Sequence, residues 1–337
     1  MASHAPPAAV IFQFVSGIWA AQAIGAAARL RVPDHLAAGP RSAEEIALGV
    51  GADPSALHRL MRGLASVGVL THVADGKFAL TPVGEVLRSD VPGSLRSMVI
   101  AQTAPAHWLP WGRCEKAFRT GKPTTDEALG MSLWEHYAKN PEEGDHFAEA
   151  MSGLSAMAMQ AVIPVYSFAG AQQVVDVGGS HGGFLAAVLQ KVPAARGVLF
   201  DRPDIVAGAD ATLGPAGVSE RVERVGGDFF AGVPEGGDVY LLKHILHDWS
   251  DDECVAILTN VRNAMAPGAR VVVVEMVIGA EGAPSPAPLL DLNMLVLLSG
   301  KERTIAEFGA LFERAGMKTS KVIPTMSPFA VIEARAA

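Results

Sequence analysis

Two patterns of hydrophobic and polar positions divide the chain. From residue 171 onward, short apolar runs alternate with segments of helical periodicity. QQVVDVG (172–178), GVLFD (197–201), DVYLLKH (238–244), ARVVVVEM (269–276) and FAVIEAR (329–335) read as strands. Runs that are apolar throughout, rather than alternately, predict a parallel sheet covered on both faces by helices. Such sheets bind ligands at the carboxyl ends of their strands, so the last residue of each run is the one to examine.

Upstream the pattern is shorter and more broken. Residues 30–90 read as short helices punctuated by Pro and Gly. Ser42 with Glu45 makes a capping box, Asp53-Pro54 opens the next helix, and Asp75-Gly76 turns between two short strands. Helix, turn, helix and hairpin together are a winged-helix pattern. Residues 8–29 are apolar, interrupted by Gln13, Ser16, Gln22 and Arg29 with no basic residue before them, which predicts an amphipathic helix packing on another surface rather than a secretory signal. No other stretch reaches the ~18 uninterrupted apolar residues of a membrane span. Residues 91–170 look helical. There Phe147, Met151 and Leu154 share one face, either a core stripe or an apolar wall for a flat ligand, to which methionine adapts well.

Composition narrows the partners. The 337 residues carry a net charge of −8, and 50% are apolar against 18% charged, as in a compact globular chain. A winged helix raises the possibility of DNA binding. Residues 41–90, however, hold five basic side chains (Arg41, Arg59, Arg62, Lys77, Arg88) against six acids (Glu44, Glu45, Asp53, Asp75, Glu85, Asp90). A recognition helix facing phosphates needs a positive surplus, so an interaction or dimerisation module is expected instead. Two cysteines without metal spacing suit a reducing, cytoplasmic setting.

The strand ends carry the chemistry. VVDVGGSHGGF (174–184) places glycines after the first strand, where backbone must approach a ligand closely, and Asp176 before them suits a ligand with a positive end. Asp201 closes the second strand, where an acid can accept hydrogen bonds from a ribose diol. VGGDFF offers Asp228 for an exocyclic amine and Phe229 as a flat face. In LLKHILHDWSDDEC (241–254), Ser250 and Glu253 cap a helix, which leaves His247 between a strand end and a helix start. Glu275 closes VVVVEM and needs a partner, because an unpaired buried carboxylate is expensive; a histidine is one candidate.

Taken together with GKERT (300–304), these stretches resemble the S-adenosylmethionine-dependent small-molecule O-methyltransferases of the plant caffeate type and their bacterial antibiotic-pathway relatives. The resemblance covers nearly the whole chain. It implies an α/β, Rossmann-like catalytic domain (171–337), a mainly helical N-terminal winged-helix dimerisation domain (1–100), and a helical linker (101–170) contributing to the substrate pocket. It implies that Gly178 and Gly179 lie against the methionine part of the cofactor and that Asp201 binds the ribose. Gly227, Asp228 and Phe229 would hold the adenine, and Lys243 would contact the cofactor from the strand end. His247 would be the general base, flanked by Glu275 and Glu302, with Phe147, Met151, Asn293 and Met294 toward the acceptor.

The implied reaction moves the cofactor's methyl group to a hydroxyl of an aromatic metabolite, such as a polyketide phenol or a phenazine. Such enzymes work as homodimers, with no metal, nucleic acid or membrane. The helix N-terminus beside His247 is expected to disfavour imidazolium and keep the resting base neutral. Two other functions compete: a relative that binds the cofactor without methyl transfer (a hydroxylase, decarboxylase or cyclase), and a cofactor-sensing winged-helix regulator. The complete set His247, Glu275 and Glu302 argues against both. Ser180 stands where the family often has glycine, and the segment before GKERT is one residue shorter than in plant members.

Overall fold

The structure, a computed structural model, describes residues 6–279 and 285–337. It forms two compact units: Met1–Gly112 with Thr125–Gly153, and Arg113–Thr124 with Leu154–Ala337. The stretch 101–170 is therefore shared between them, and the helix Pro141–Val162 belongs partly to each.

In the first unit, helices Ala43–Val50 and Pro54–Ser66 precede a hairpin of β1 (Leu70–His72) and β2 (Phe78–Leu80). Local chemistry sets the boundaries. The Ser42 amide donates to Glu45 Oε2 (2.6 Å) while the Glu45 amide donates to Ser42 Oγ (3.3 Å), and Asp53 accepts from the Ala56 amide (2.8 Å). Ile46, Leu57, Met61, Leu64 and Phe78 form the core beneath. The helix Pro7–Arg29 departs from expectation. It has no single apolar face: Ile11, Phe12, Phe14, Val15, Ile18 and Trp19 are all exposed, and only Gly25, Ala27 and Ala28 are buried. Too few polar residues interrupt the segment to give it a polar stripe.

The second unit is built on β3 (Gln173–Val177), β4 (Arg196–Asp201), β5 (Val222–Gly226), β6 (Val239–Lys243), β7 (Arg270–Ile278), β8 (Arg303–Thr304), β9 (Met317–Pro324) and β10 (Phe329–Ala336). The sheet order is β5-β4-β3-β6-β7-β10-β9, with β8 beside the end of β7. β3 to β8 pair in parallel, but β10 runs antiparallel to both β7 and β9, so the expected all-parallel sheet is a mixed one. The four residues 325–328 between β9 and β10 are too few for a crossover and force a hairpin. MKTSKVIP, the polar sequence of β9, lies at the sheet edge, where charged side chains are tolerated.

Two cores flank the sheet. Val174, Leu241, Val272 and Val274 pack on one face; Val175, Val177, Tyr240, Leu242, Val271 and Val273 pack on the other. Burying each such side chain is worth about 1.5–3 kcal/mol, which pins the register. The same period-two alternation, carried to the strand ends, puts Asp176 and Lys243 on one face and Glu275 on the other.

Candidate active site

The turn after β3 is shaped by its glycines. Gly178 has a φ of +70°, which L side chains rarely adopt, and a Cβ there would lie 2.4 Å from Ile245 Cδ1, so the position favours glycine. The amides of Gly178 and Gly179 donate to Phe200 O, at 2.8 and 3.2 Å. Asp201 is fastened to the same loop, accepting from the Ser180 amide (2.8 Å) and the Arg202 amide (2.7 Å). Ser180 itself holds a φ of +53°, a left-handed conformation that a non-glycine residue adopts at a cost of about 1–2 kcal/mol. Beyond β5, Gly227 backs onto the Phe200 ring, and exposed Asp228 accepts from the Phe230 amide (2.9 Å). The Phe229 ring stands edge-on to Phe230 (5.0 Å) and Trp249 (5.7 Å).

Beneath this loop lies Asp176, 2% exposed, with Oδ2 lacking a hydrogen-bond partner among the described residues. Burial raises its carboxyl to about 7 against the opposing pull of Lys243. Lys243 Nζ donates to Ser155 Oγ (2.9 Å); burial lowers its pKa, while Asp176, Glu275 and Asp248 hold it up. A buried acid with one carboxylate oxygen unbonded among the described residues, a loop in which Gly178 leaves room for close approach, an acid closing β4 and an aromatic edge fit S-adenosylmethionine, whose amino-acid end is a zwitterion and whose other end is a nucleoside.

His247 lies in a 3-10 turn, Leu246–Asp248, directly after β6. Its Nδ1 is 2.9 Å from Glu302 Oε1, and its Nε2 is 3.5 Å from Asp248 Oδ1. Glu275 bonds to the backbone of the turn: its Oε1 accepts from the amides of Ile245 and Leu246, both at 3.0 Å. Oε2 of Glu275 and of Glu302 are buried without a hydrogen-bond partner among the described residues. Ser250 and Glu253 then cap the helix Asp251–Ala264 reciprocally.

The electrostatics reverse one expectation. Burial by itself would lower the His247 pKa, but Glu275, the hydrogen bond to Glu302 and Asp248 outweigh it and raise it to about 9. The resting ring is therefore mostly imidazolium at neutral pH, because carboxylates nearby outweigh the partial charge of one helix end. Burial also raises Glu275 to about 7, opposed by His247 and reinforced by Glu302 and Asp248, and it raises Asp248. His244 is different. Its φ is +54°, its ring lies 5.0 Å from His247 and 4.8 Å from Phe329, and burial drives its pKa well below the ordinary value. It stays neutral.

The residues expected toward the acceptor fall in both units. Asn293 is half-buried and Met294 buried on the helix Ala287–Leu297 of the second unit. Phe147 and Met151 belong to the first unit, where Phe147 stacks on Tyr137 (4.9 Å, 24°). Ser155 was not expected; its contact with Lys243 spans 88 residues and leaves no local signal. Asp291 was not expected either: its Oδ1 accepts from the Glu302 amide (3.0 Å) and so holds the backbone of a residue bound to His247.

Comparison with known proteins gives a consistent neighbourhood. A family model described as an O-methyltransferase domain matches residues 111–318, and an O-methyltransferase dimerisation domain matches residues 12–90. The chain is 37% identical to phenazine O-methyltransferase PhzM of Lysobacter antibioticus, over 99% of this chain and 98% of that protein. It is 36% identical to 8-amino-8-demethylriboflavin N,N-dimethyltransferase of Streptomyces davaonensis, over 96% and 94%. Among solved structures, the O-methyltransferase NcsB1 from neocarzinostatin biosynthesis, in complex with S-adenosylmethionine and 2-hydroxy-5-methyl naphthoic acid, superposes with a TM-score of 0.81 at 34% identity, covering 94% of this chain and 96% of that one.

Proposed function

From the premise that this chain belongs to the O-methyltransferase family and is an S-adenosylmethionine-dependent O-methyltransferase, we propose that it methylates a hydroxyl of an aromatic metabolite with His247 as the general base. The acceptor class is a phenol of the polyketide or phenazine kind. The observation that carries this reading is the His247 imidazole, held through Nδ1 by Glu302 at 2.9 Å at the end of β6.

The cofactor supplies a methyl group already activated on a sulfonium. The protein's work is to align the acceptor oxygen and to take its proton. A phenol has a pKa of about 10, so a base of ordinary histidine strength is about 3.5 units too weak. With the pKa of His247 raised to about 9, transfer of the proton is nearly balanced. Glu302 holds the ring in place and, with Glu275, stabilises the imidazolium that results, as the third group of a triad does. Asp201, Asp228 and Phe229 are assigned to the nucleoside, and Gly178, Gly179, Gly227 and Lys243 to the remaining cofactor surface. Phe147, Met151, Asn293 and Met294 are assigned to the acceptor.

In functional terms, residues 1–100 dimerise, 101–170 contribute to the acceptor pocket and 171–337 bind the cofactor. The enzyme works as a cytoplasmic homodimer and uses no metal. The test is a panel of hydroxyphenazines and naphthols with labelled S-adenosylmethionine: His247→Ala should lose turnover by roughly 10²–10⁴-fold while cofactor affinity stays unchanged. Near-normal turnover in that variant would remove the base assignment.

The metal question has its own test. Donor atoms of His247, Glu275 and Glu302 lie within 4.8 Å of one another, a spacing that could hold a cation. Dialysis against a chelator should leave turnover unchanged; loss that is restored by a divalent ion would make the cluster a metal site.

A further inference from the structure

The GKERT stretch supplies more than Glu302. The next residue, Arg303, is fully buried and heads the largest buried side chains among the described residues. Its guanidinium is committed to the turn that carries His247. Nη1 donates to Leu246 O (2.7 Å) and Nη2 to Trp249 O (2.8 Å), the carbonyls on either side of His247 and Asp248. Nε and Nη2 also donate to Asp251 Oδ1, at 3.0 and 2.8 Å. The amides at the start of the same turn are held by Glu275, and Arg303 pairs with Val277, two residues beyond Glu275 on β7. One short segment therefore places the carboxylate bound to His247 and grips the backbone beneath it.

An arginine this deep is costly to desolvate and is rare unless fully paired. Anchoring the helix at Asp251 does not require it, since half-exposed Lys301 already reaches Asp251 Oδ2 at 3.2 Å. Bridging two carbonyls and a carboxylate at once does require it, because only a planar fork presents donors in those directions.

We propose that Arg303 is a positioning residue for the general base, fixing the His247 turn relative to Glu302 and Glu275 without touching the reactants. The inference rests on His247 acting as base, and its test is separable from that reading. The groups facing His247 are Glu275 from β7, Glu302 from the segment before β8, Asp248 from its own turn and His244 from the end of β6. The His247 titration, followed by NMR on the full chain with ¹³C-labelled histidine and saturating S-adenosylhomocysteine, reports its distance from those charges. The resonance is assigned by its loss in His247→Asn.

Arg303→Lys keeps the charge but cannot span Leu246 O, Trp249 O and Asp251 Oδ1 at once. It should lower the midpoint by about one pH unit while affinity for S-adenosylhomocysteine, measured by calorimetry, changes less than about twofold. If Arg303→Lys does not fold, the result is taken from Asp251→Asn, which unfastens the guanidinium at its exposed end and should move the midpoint in the same direction. A wild-type titration in the variant so chosen overturns the proposal. If the midpoint moves but His247→Ala retains turnover, the positioning of the ring stands and the base assignment falls.

Discussion

At the scale of single residues, His247 is set by its neighbours more than by its own chemistry. Its pKa, raised to about 9 by the acids around it, keeps the ring protonated below that pH, and the ring becomes neutral only as pH rises through it. The expected consequence is a rate of methyl transfer, measured as kcat/KM with a phenolic acceptor, that climbs about tenfold per unit toward pH 9 and then levels. Glu302→Gln removes a negative charge at 2.9 Å from Nδ1 but retains a hydrogen-bonding side chain. Its profile should rise at lower pH, with a reduced plateau because the weaker base no longer matches the phenol. A profile superposing on the parent's would place the titrating group elsewhere. His247 and Glu275 were legible in the sequence because each ends or follows an apolar run where polar residues are out of place. The sign of the His247 shift was not, since it depends on three acids brought together from residues 248, 275 and 302.

At the scale of elements, the site is a consequence of how strands end. Alternation along β3 and β6 sets Asp176 and Lys243 on one face, and the turn after β6 then carries His247 to where Glu302 can reach it. That the chemistry sits at the strand ends followed from the hydrophobic pattern; the pairing of Glu302 with His247 was implied by the family resemblance. The polar strand β9 and the antiparallel return of β10 did not, because an edge strand is freed from the apolar pattern used to find the others. The Ser155–Lys243 contact was equally hidden, as it joins a helix to a strand across 88 residues. The loop before β8 makes the closest approach. A Cβ on Gly300 would sit 2.0 Å from His247 O and 2.8 Å from Asp248 Cα, backbone that cannot step aside without carrying His247 along. Gly300→Ala should therefore reduce kcat at least about tenfold, the scale of a displacement of well under 1 Å at a reacting group, while calorimetry shows the cofactor still binding. Unchanged kcat would mean that the turn yields without cost.

At the scale of the whole molecule, the helix Pro7–Arg29 is the feature one protomer leaves unexplained. Phe12, Phe14 and Trp19 are each more than 60% exposed, and Ile11 equally so, on a segment long and apolar enough to cross a membrane by length and composition. An exposed apolar surface of this extent marks an interface. A bilayer and a second protomer make different demands on it. Within a bilayer the sides of a spanning helix meet lipid, whereas in a dimer they meet side chains and need contiguity with a folded unit. Here the carboxyl end of the helix is packed into such a unit, with Ala27 buried in its core and Arg29 donating to Thr103 Oγ1 at 3.0 Å. The match of residues 12–90 to a dimerisation domain begins within this same helix. The homodimer is accordingly the assembly to test. Phe14→Glu combined with Trp19→Glu puts two charges on the exposed apolar surface without touching the buried end. The variant should sediment as a monomer at micromolar concentration, where the parent sediments as a dimer, because each charge left in a desolvated contact costs several kcal/mol. Neither protein should float with phosphatidylcholine vesicles. A monomeric parent would remove the homodimer, and flotation of the parent that the paired substitution abolishes would assign the helix to a membrane surface instead.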